Sequence, residues 1–332
     1  MKSLSFKCLV LMAFTMGIFM TFASAQNSLS LPNTNTQSTI SKFKDCSVCP
    51  EMVALPSGEF QMGANEEDWK IISSMDRLSL AFMFAPLTYK IESPQHLVKV
   101  QGFALARYDV TREQFALFAT ETQFVGKGCN ALNPGGIDRD KEADWSNPWF
   151  SQTDKDPVVC VSWNDSQKYI AWLNSKLPPE IPKYRLPTSE EWEYAARAGT
   201  TAPTYLNDPS KNCKFANVGD LQSKKVDFTG YNTAMEIAPC DDGYATTSPV
   251  GVFPPNPWGL YDMLGNVGQF TQNCATQFSM DLPFVTQCRQ HLVRGSTWTS
   301  HPSNVRVAHK SNMESNLRTM ATGFRIARDI AN

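Results

Sequence analysis

Cysteine placement constrains this chain more than any other feature. Of its nine cysteines, eight lie beyond residue 45: Cys46, Cys49, Cys129, Cys160, Cys213, Cys240, Cys274 and Cys288. An even set in a chain that meets an oxidising compartment reads as a disulfide framework. The N-terminus predicts such a compartment. Lys2 and Lys7 form a basic head, Cys8 to Met20 is an apolar run, and Ala23-Ser24-Ala25 supplies small residues before Gln26. This pattern is that of an export signal (residues 1–25) cut after Ala25, and the apolar run is too short to span a bilayer. Cys8 stands at the front of the apolar run instead of just after it, so no lipid anchor is expected there. A periplasmic or secreted protein with no stable membrane anchor after cleavage is the expectation.

Connectivity is not readable from spacing alone. Pairing of neighbours, Cys46 with Cys49, Cys129 with Cys160, Cys213 with Cys240 and Cys274 with Cys288, closes only local loops and is the expected arrangement. Cys46-Ser47-Val48-Cys49 could instead be a thiol-exchange pair, but no strand-helix context of that kind follows it. A flexible linker (26–48) is expected before one globular domain (49–330), and 11% aromatic content in the whole chain argues for a packed body. Net charge is −2, which offers no basic field for phosphate, so nucleic acid is not an expected partner.

Three capping boxes announce helices: Thr111 with Gln114, Ser162 with Asp165, and Thr188 with Glu191. Their apolar stripes, among them Phe115 and Phe118, Tyr169, Trp172 and Leu173, and Trp192, Ala195 and Ala196, read as core packing. Short strands are predicted at Met52–Leu55, Phe60–Met62, Leu97–Leu105 and Gly323–Ile326. Gly/Pro/Asn-rich connections such as Asn133-Pro134-Gly135-Gly136 and Pro254-Pro255-Asn256-Pro257 separate them. A helix from Glu66 to about Leu80 is predicted within residues 65–91, read as an insertion packed on the flank of the domain, with a lid or partner surface as the alternative. An irregular, loop-rich α+β fold is therefore expected.

Several strings, in order, carry a family resemblance: Pro56-Ser57-Gly58-Glu59-Phe60-Gln61-Met62-Gly63, Tyr108-Asp109-Val110-Thr111-Arg112-Glu113-Gln114-Phe115, and Pro157-Val158-Val159-Cys160-Val161-Ser162-Trp163. They continue with Arg185-Leu186-Pro187-Thr188-Ser189-Glu190-Glu191-Trp192-Glu193-Tyr194-Ala195-Ala196-Arg197, Gly259-Leu260-Tyr261-Asp262-Met263-Leu264-Gly265-Asn266-Val267, Arg294-Gly295-Ser296-Thr297-Trp298 and Gly323-Phe324-Arg325. Over nearly all of 49–328 the chain resembles the formylglycine-generating enzyme family, also called sulfatase-modifying factors. That resemblance implies a fold related to C-type lectins.

Catalytic members of that family hold copper(I) between two cysteines just past a Gly-Gly-Ser-Trp-like turn and oxidise a substrate cysteine to formylglycine. Counted from Trp298, those positions here are Ser300 and Val305. A soft monovalent metal needs thiolates, so copper is not expected and the copper-dependent activity is expected to be absent. Thr297, Ser300, His301, Arg306 and His309 remain as a candidate polar pocket. Ser296 replaces the second glycine of the turn, a change expected to disfavour positive φ. The resemblance also implies calcium, at a first set Asn217, Val218, Asp242 and Tyr244 and a second set Asp262, Gly265, Val267 and Gln269, whose oxygen donors suit a hard cation.

His301 and His309 match no usual metal spacing, and no nucleophile elbow or phosphate loop is present. Glu190, Glu191 and Glu193 beside Arg197 read as a solvated ion-pairing face. Three functional expectations follow. The first is an exported module that binds a polypeptide or glycan partner, its copper site degenerate. The second is a cysteine-independent oxidoreductase using the Thr297 to His309 neighbourhood. The third is residual formylglycine formation through Cys274 and Cys288.

Overall fold

Each of the three predicted capping boxes opens a helix in the computed structural model of the chain. Helix α1 covers Glu66–Met75, α2 Arg112–Thr122, α3 Trp163–Asn174 and α4 Ser189–Arg197. At α2, α3 and α4 the Thr111, Ser162 and Thr188 hydroxyls each accept the N3 amide, and the Gln114, Asp165 and Glu191 side chains return to the cap amide. Two of the donors that each helix start leaves orphaned are thereby satisfied. Helix α1 begins with a reciprocal pair, Asn65 N to Asp68 Oδ2 at 3.0 Å and Asp68 N to Asn65 Oδ1 at 2.9 Å. The described residues are 40–75, 91–133, 136–204, 213–226, 237–275, 288–300 and 302–330. The expected export signal, His301 and the part of the insertion between 76 and 90 lie outside them.

Strands β1 (Lys42–Phe43), β2 (Met52–Leu55), β3 (Gly58–Met62), β4 (His96–Val100) and β5 (Phe103–Ala106) lie in the N-terminal half, followed by the hairpin β6 (Lys127–Asn133) and β7 (Gly136–Asp144). The remainder are β8 (Tyr184–Arg185), β9 (Gly268–Cys274), β10 (Gln290–Arg294), β11 (Lys310–Glu314), β12 (Thr322–Gly323) and β13 (Ala327–Asp329). They form a five-stranded sheet in the order β1-β2-β5-β13-β8, a four-stranded sheet β11-β10-β9-β12, and the two-stranded pairs β3-β4 and β6-β7. All pairs are antiparallel except β12 with β9. The fold is the irregular α+β type expected from the sequence.

Several boundaries move. The stretch Leu97–Leu105 divides into β4 and β5 because Val100 and Phe103 turn into the core on either side of Gly102. Phe324 to Ile326, expected in a strand, lies between β12 and β13. Part of the linker expected over 26–48 instead belongs to the domain: β1 pairs with β2, and the Asp45 carboxylate accepts Arg328 Nε at 2.8 Å and Tyr184 OH at 2.6 Å. Sequence polarity hid this, because an acid that is satisfied across the fold looks like a linker acid when read locally.

The core has three parts. Phe115, Phe118, Tyr169 and Phe324 pack α2 and α3 onto the five-stranded sheet, with the Phe115 and Tyr169 rings stacked at 5.8 Å. A second cluster surrounds Trp192, Leu264 and Val305. A third gathers Trp298 and Met320 about the Cys129–Cys160 bridge. The four disulfides are Cys46–Cys49, Cys129–Cys160, Cys213–Cys240 and Cys274–Cys288, the neighbour pairing expected. Cys213 is buried in the second core cluster, and Cys240 packs against it from the partly exposed side. No helix among the described residues is long and apolar enough to cross a membrane.

Candidate functional site: a buried charge cluster between two cavities

Strand β10 delivers the chain into the turn Gly295-Ser296. Both residues have positive φ, 92° and 62°. Ser296 therefore keeps the left-handed conformation despite its Cβ, and its Oγ donates to Asn304 O at 2.5 Å, which holds the turn. Beyond it, Ser300 Oγ accepts the Thr297 amide at 2.9 Å and lies 3.1 Å from Thr297 Oγ1. Val305 is 1% exposed and part of the second core cluster. One copper position is thus a turn hydroxyl already bonded to its own loop, and the other is a core aliphatic. The residues present do not fit copper(I).

Of the five candidate pocket residues His301 lies outside the described residues, and the other four do not form one site. Thr297 and Ser300 make the hydroxyl turn, whereas Arg306 and His309 belong to a charged cluster that extends to residues the sequence reading missed. Arg306 Nε and Nη2 donate to Glu92 at 3.0 and 2.5 Å, and His309 Nδ1 lies 3.4 Å from Glu92 Oε1. The Trp69 ring of α1 lies 5.2 Å from the Arg306 guanidinium. Next to this pair, Glu193 Oε1 accepts Gly63 N at 2.8 Å and Arg197 Nε and Nη2 at 2.9 and 2.7 Å, while Oε2 accepts Arg294 Nη2. Glu193 and Arg197 are buried, which corrects their expected place on a solvated face. The signal was present: Trp192, Ala195 and Ala196 surround Glu193 with apolar residues, and only Glu190 and Glu191 at the start of α4 keep a partly exposed side. Glu92 carried no such signal, since its partner Arg306 is 214 positions away.

Burial alone would raise the Glu92 carboxyl, but Arg306 and then His309 override it and hold the group at about 2. Burial also pushes His309 below the usual imidazole range, and Lys310 on β11 is lowered by burial and then by Arg294. For Glu92 the folded value lies below the ordinary 4.5, so the stability it contributes is present above that pH and lost as pH falls from 4.5 towards 2. The Glu92→Gln variant is expected to show a flatter fall in unfolding free energy across that window, measured by urea denaturation at stepped pH. Parallel profiles for the two proteins would remove Glu92 from the acid response.

Two cavities border the β3-β4 pair. One, of about 370 Å³, is lined by Gly63, Glu92, His96, Glu193, Arg294 and Lys310, among others. The other, of about 410 Å³, is lined by Phe60, Gln61, Gln95, Leu97, Tyr194 and Trp258 with their neighbours. Its rings form a ladder, Phe60 to Tyr194 at 5.5 Å and Tyr194 to Trp258 at 4.8 Å between centroids, and Leu97 is exposed.

Of the two implied calcium sets, the first converges. The Cys213–Cys240 bridge ties the segment carrying Asn217 and Val218 to the turn carrying Asp242 and Tyr244. Asp242 accepts Val218 N and Tyr244 N, each at 2.8 Å, and Asn217 Oδ1 is buried without a hydrogen-bond partner among the described residues. An orphaned amide oxygen beside a carboxylate that burial pushes up to about 7 fits a hard cation. The second set does not fit. Gln269 Oε1 already accepts both Trp192 Nε1 at 2.7 Å and Arg325 Nε at 2.8 Å, so the one side-chain amide oxygen of this set is spent on the core. Cys274 and Cys288 lie with His291, the Cys288 sulfur 3.5 Å from Nε2, but as a disulfide they offer no thiolate pair for formylglycine chemistry.

Residues 36–330 match the sulfatase-modifying factor enzyme 1-like domain family. The chain belongs to this family. It is 31% identical over 257 residues to the formylglycine-generating enzyme of Mycobacterium tuberculosis, covering 67% of this chain and 73% of that one. It is also 28% identical over 275 residues to the inactive Cα-formylglycine-generating enzyme 2 of Bos taurus, covering 74% and 76%. Among solved structures, PvdO from Pseudomonas aeruginosa superposes with a TM-score of 0.66 at 30% identity, over 87% of this chain and 98% of that one. Treponema denticola variable protein 1, at TM-score 0.57 and 18% identity over 88% and 99%, shares the fold.

Proposed function

We propose that this chain is an exported, copper-independent family member that binds an extracytoplasmic polypeptide or glycan in the aromatic groove between β3-β4 and α4. The observation that carries the reading is the Phe60-Tyr194-Trp258 ladder edged by Gln61 and Gln95. Rings set tilted and edge to face, as these are, take up apolar faces while amides satisfy the polar edges of a chain polymer. The loss of both copper thiolates at Ser300 and Val305 and the kinship with a relative named as inactive support binding over the family's oxidation. Export is supported by the N-terminal pattern and by the four bridges. Purified protein on arrays of oligosaccharides and extended peptides should retain one class of ligand, and Trp258→Ala should weaken retention about tenfold. Retention equal in the variant, or none in the wild type, would defeat the reading.

Calcium at the first set would brace the loop that carries Asp242. Free calcium at ~100-fold above Kd is then expected to add about 2.7 kcal/mol to stability, and Asp242→Asn to abolish the gain in thermal melts with and without chelator.

His309 and Lys310, both held below their ordinary ranges beside the charged cavity, favour a second reading. It is a cysteine-independent oxidoreductase with dioxygen as oxidant. Oxygen uptake with candidate small substrates, lost on substitution of Arg306 and His301 together, would establish it, and uptake unchanged by those substitutions would exclude it.

A further inference from the structure

We propose that the charged cavity is a binding site for a carboxylate, with Lys310 as its direct ligand. The inference goes beyond the groove reading and stands without it. Both carboxylates in the cavity wall are already spent: Glu193 on Gly63, Arg197 and Arg294, and Glu92 on Arg306. Neither makes a direct bond to Lys310, whose Nζ has no hydrogen bond or ion pair with a side chain among the described residues and feels Glu193, Glu92 and Glu190 only through space. Lys310 instead faces about 370 Å³ of open space together with Arg294, whose side chain is wholly buried and whose Nε has no partner among the described residues.

A half-buried ammonium beside a second cation is unfavourable unless an anion enters or the proton leaves. An entering carboxylate gives Lys310 a charge-assisted bond and relieves its repulsion with Arg294. Ligand size is bounded by the cavity, which admits an acetate or the end of an acidic side chain but no large polyanion. The wall residues that do not carry charge, Met62, Ile91 and Ala308, suit the apolar stem of such an acid.

Amine footprinting tests the site on the full chain. The folded protein is acetylated briefly at constant ionic strength, and modification of Lys310 and of the remote Lys155 is read by mass spectrometry. Acetate, and separately the capped peptide acetyl-Gly-Asp-Gly-amide, are expected to protect Lys310 and leave Lys155 unchanged. Protection by acetate alone assigns a free small acid, and protection by both assigns an acidic polypeptide side chain as well. Lys310→Met should weaken acetate binding in ligand-observed NMR roughly tenfold, and Lys310→Arg should retain it. Near-UV circular dichroism confirms that each variant is folded. Lys310 labelling indifferent to carboxylate, equal protection by the uncharged control peptide acetyl-Gly-Asn-Gly-amide, or acetate binding undiminished in Lys310→Met would each overturn the proposal. Neither the groove ligand nor Trp258 enters these measurements, so their outcome is separate from that of the array experiment.

Discussion

Glu193→Ala is expected to lower unfolding free energy by about 3–5 kcal/mol, the loss seen when one partner of a buried ion pair is removed. The magnitude follows from what the alanine leaves behind. Arg294 and Arg197 have side chains 0% and 3% exposed, and both direct donors at the Glu193 carboxylate. Without it, two guanidinium groups sit in the interior with unmatched charge, and the Gly63 amide loses its acceptor. Urea denaturation of the variant and of Glu190→Ala, whose carboxylate is only half-buried and reaches Asn273 at 3.2 Å, separates a core charge from a peripheral one. Glu190→Ala should cost under about 1 kcal/mol. Equal losses in the two variants would show that the cluster is not a buried charge system.

Removing the Cys129–Cys160 bridge by double alanine substitution is the second large effect. The bridge closes a loop across 31 positions, for which chain-entropy reasoning gives about 4 kcal/mol. Both sulfurs lie in the third core cluster with Trp298, at the turn after β10, so the substitution also loosens the packing there. The Cys46–Cys49 bridge spans only three positions, and its removal should cost less than half as much, about 2 kcal/mol or below. Equilibrium unfolding of the two double variants in oxidising buffer checks the order. If the short bridge proves the more stabilising, loop closure is not what these disulfides supply.

Signals confined to nearby residues are legible in the sequence itself. The capping boxes at Thr111, Ser162 and Thr188 were readable because both halves of each hydrogen-bonded pair lie three residues apart. Strand β2 was readable as a short apolar run, and the cysteine pairs, Cys213–Cys240 among them, as successive cysteines along the chain. The absence of thiolates at Ser300 and Val305 needed only a count from Trp298. The hairpin β6-β7 was missed because Gly136 begins a strand in a segment whose glycines and proline read as a long connection, and its second strand is mostly charged. The candidate site was only half legible. Arg306 and His309 were named as pocket residues, Glu193 only as part of a solvated face, and Glu92, Arg294 and Lys310 not as site residues at all.

From its residues alone this chain determines its helix starts, its even set of cysteines and the absence of thiolates at 300 and 305, since each depends on chemistry within one residue type or one turn of chain. Tertiary structure decided which charges are buried and which cavity they line. Glu92 meets Arg306, and Glu193 meets Arg294, only after β3, β4, α4, β10 and β11 have come together. Coulomb pairing at 2.5 Å in the interior and solvation at the surface look identical in a sequence, because both are written with the same letters and differ only in what the rest of the chain places around them.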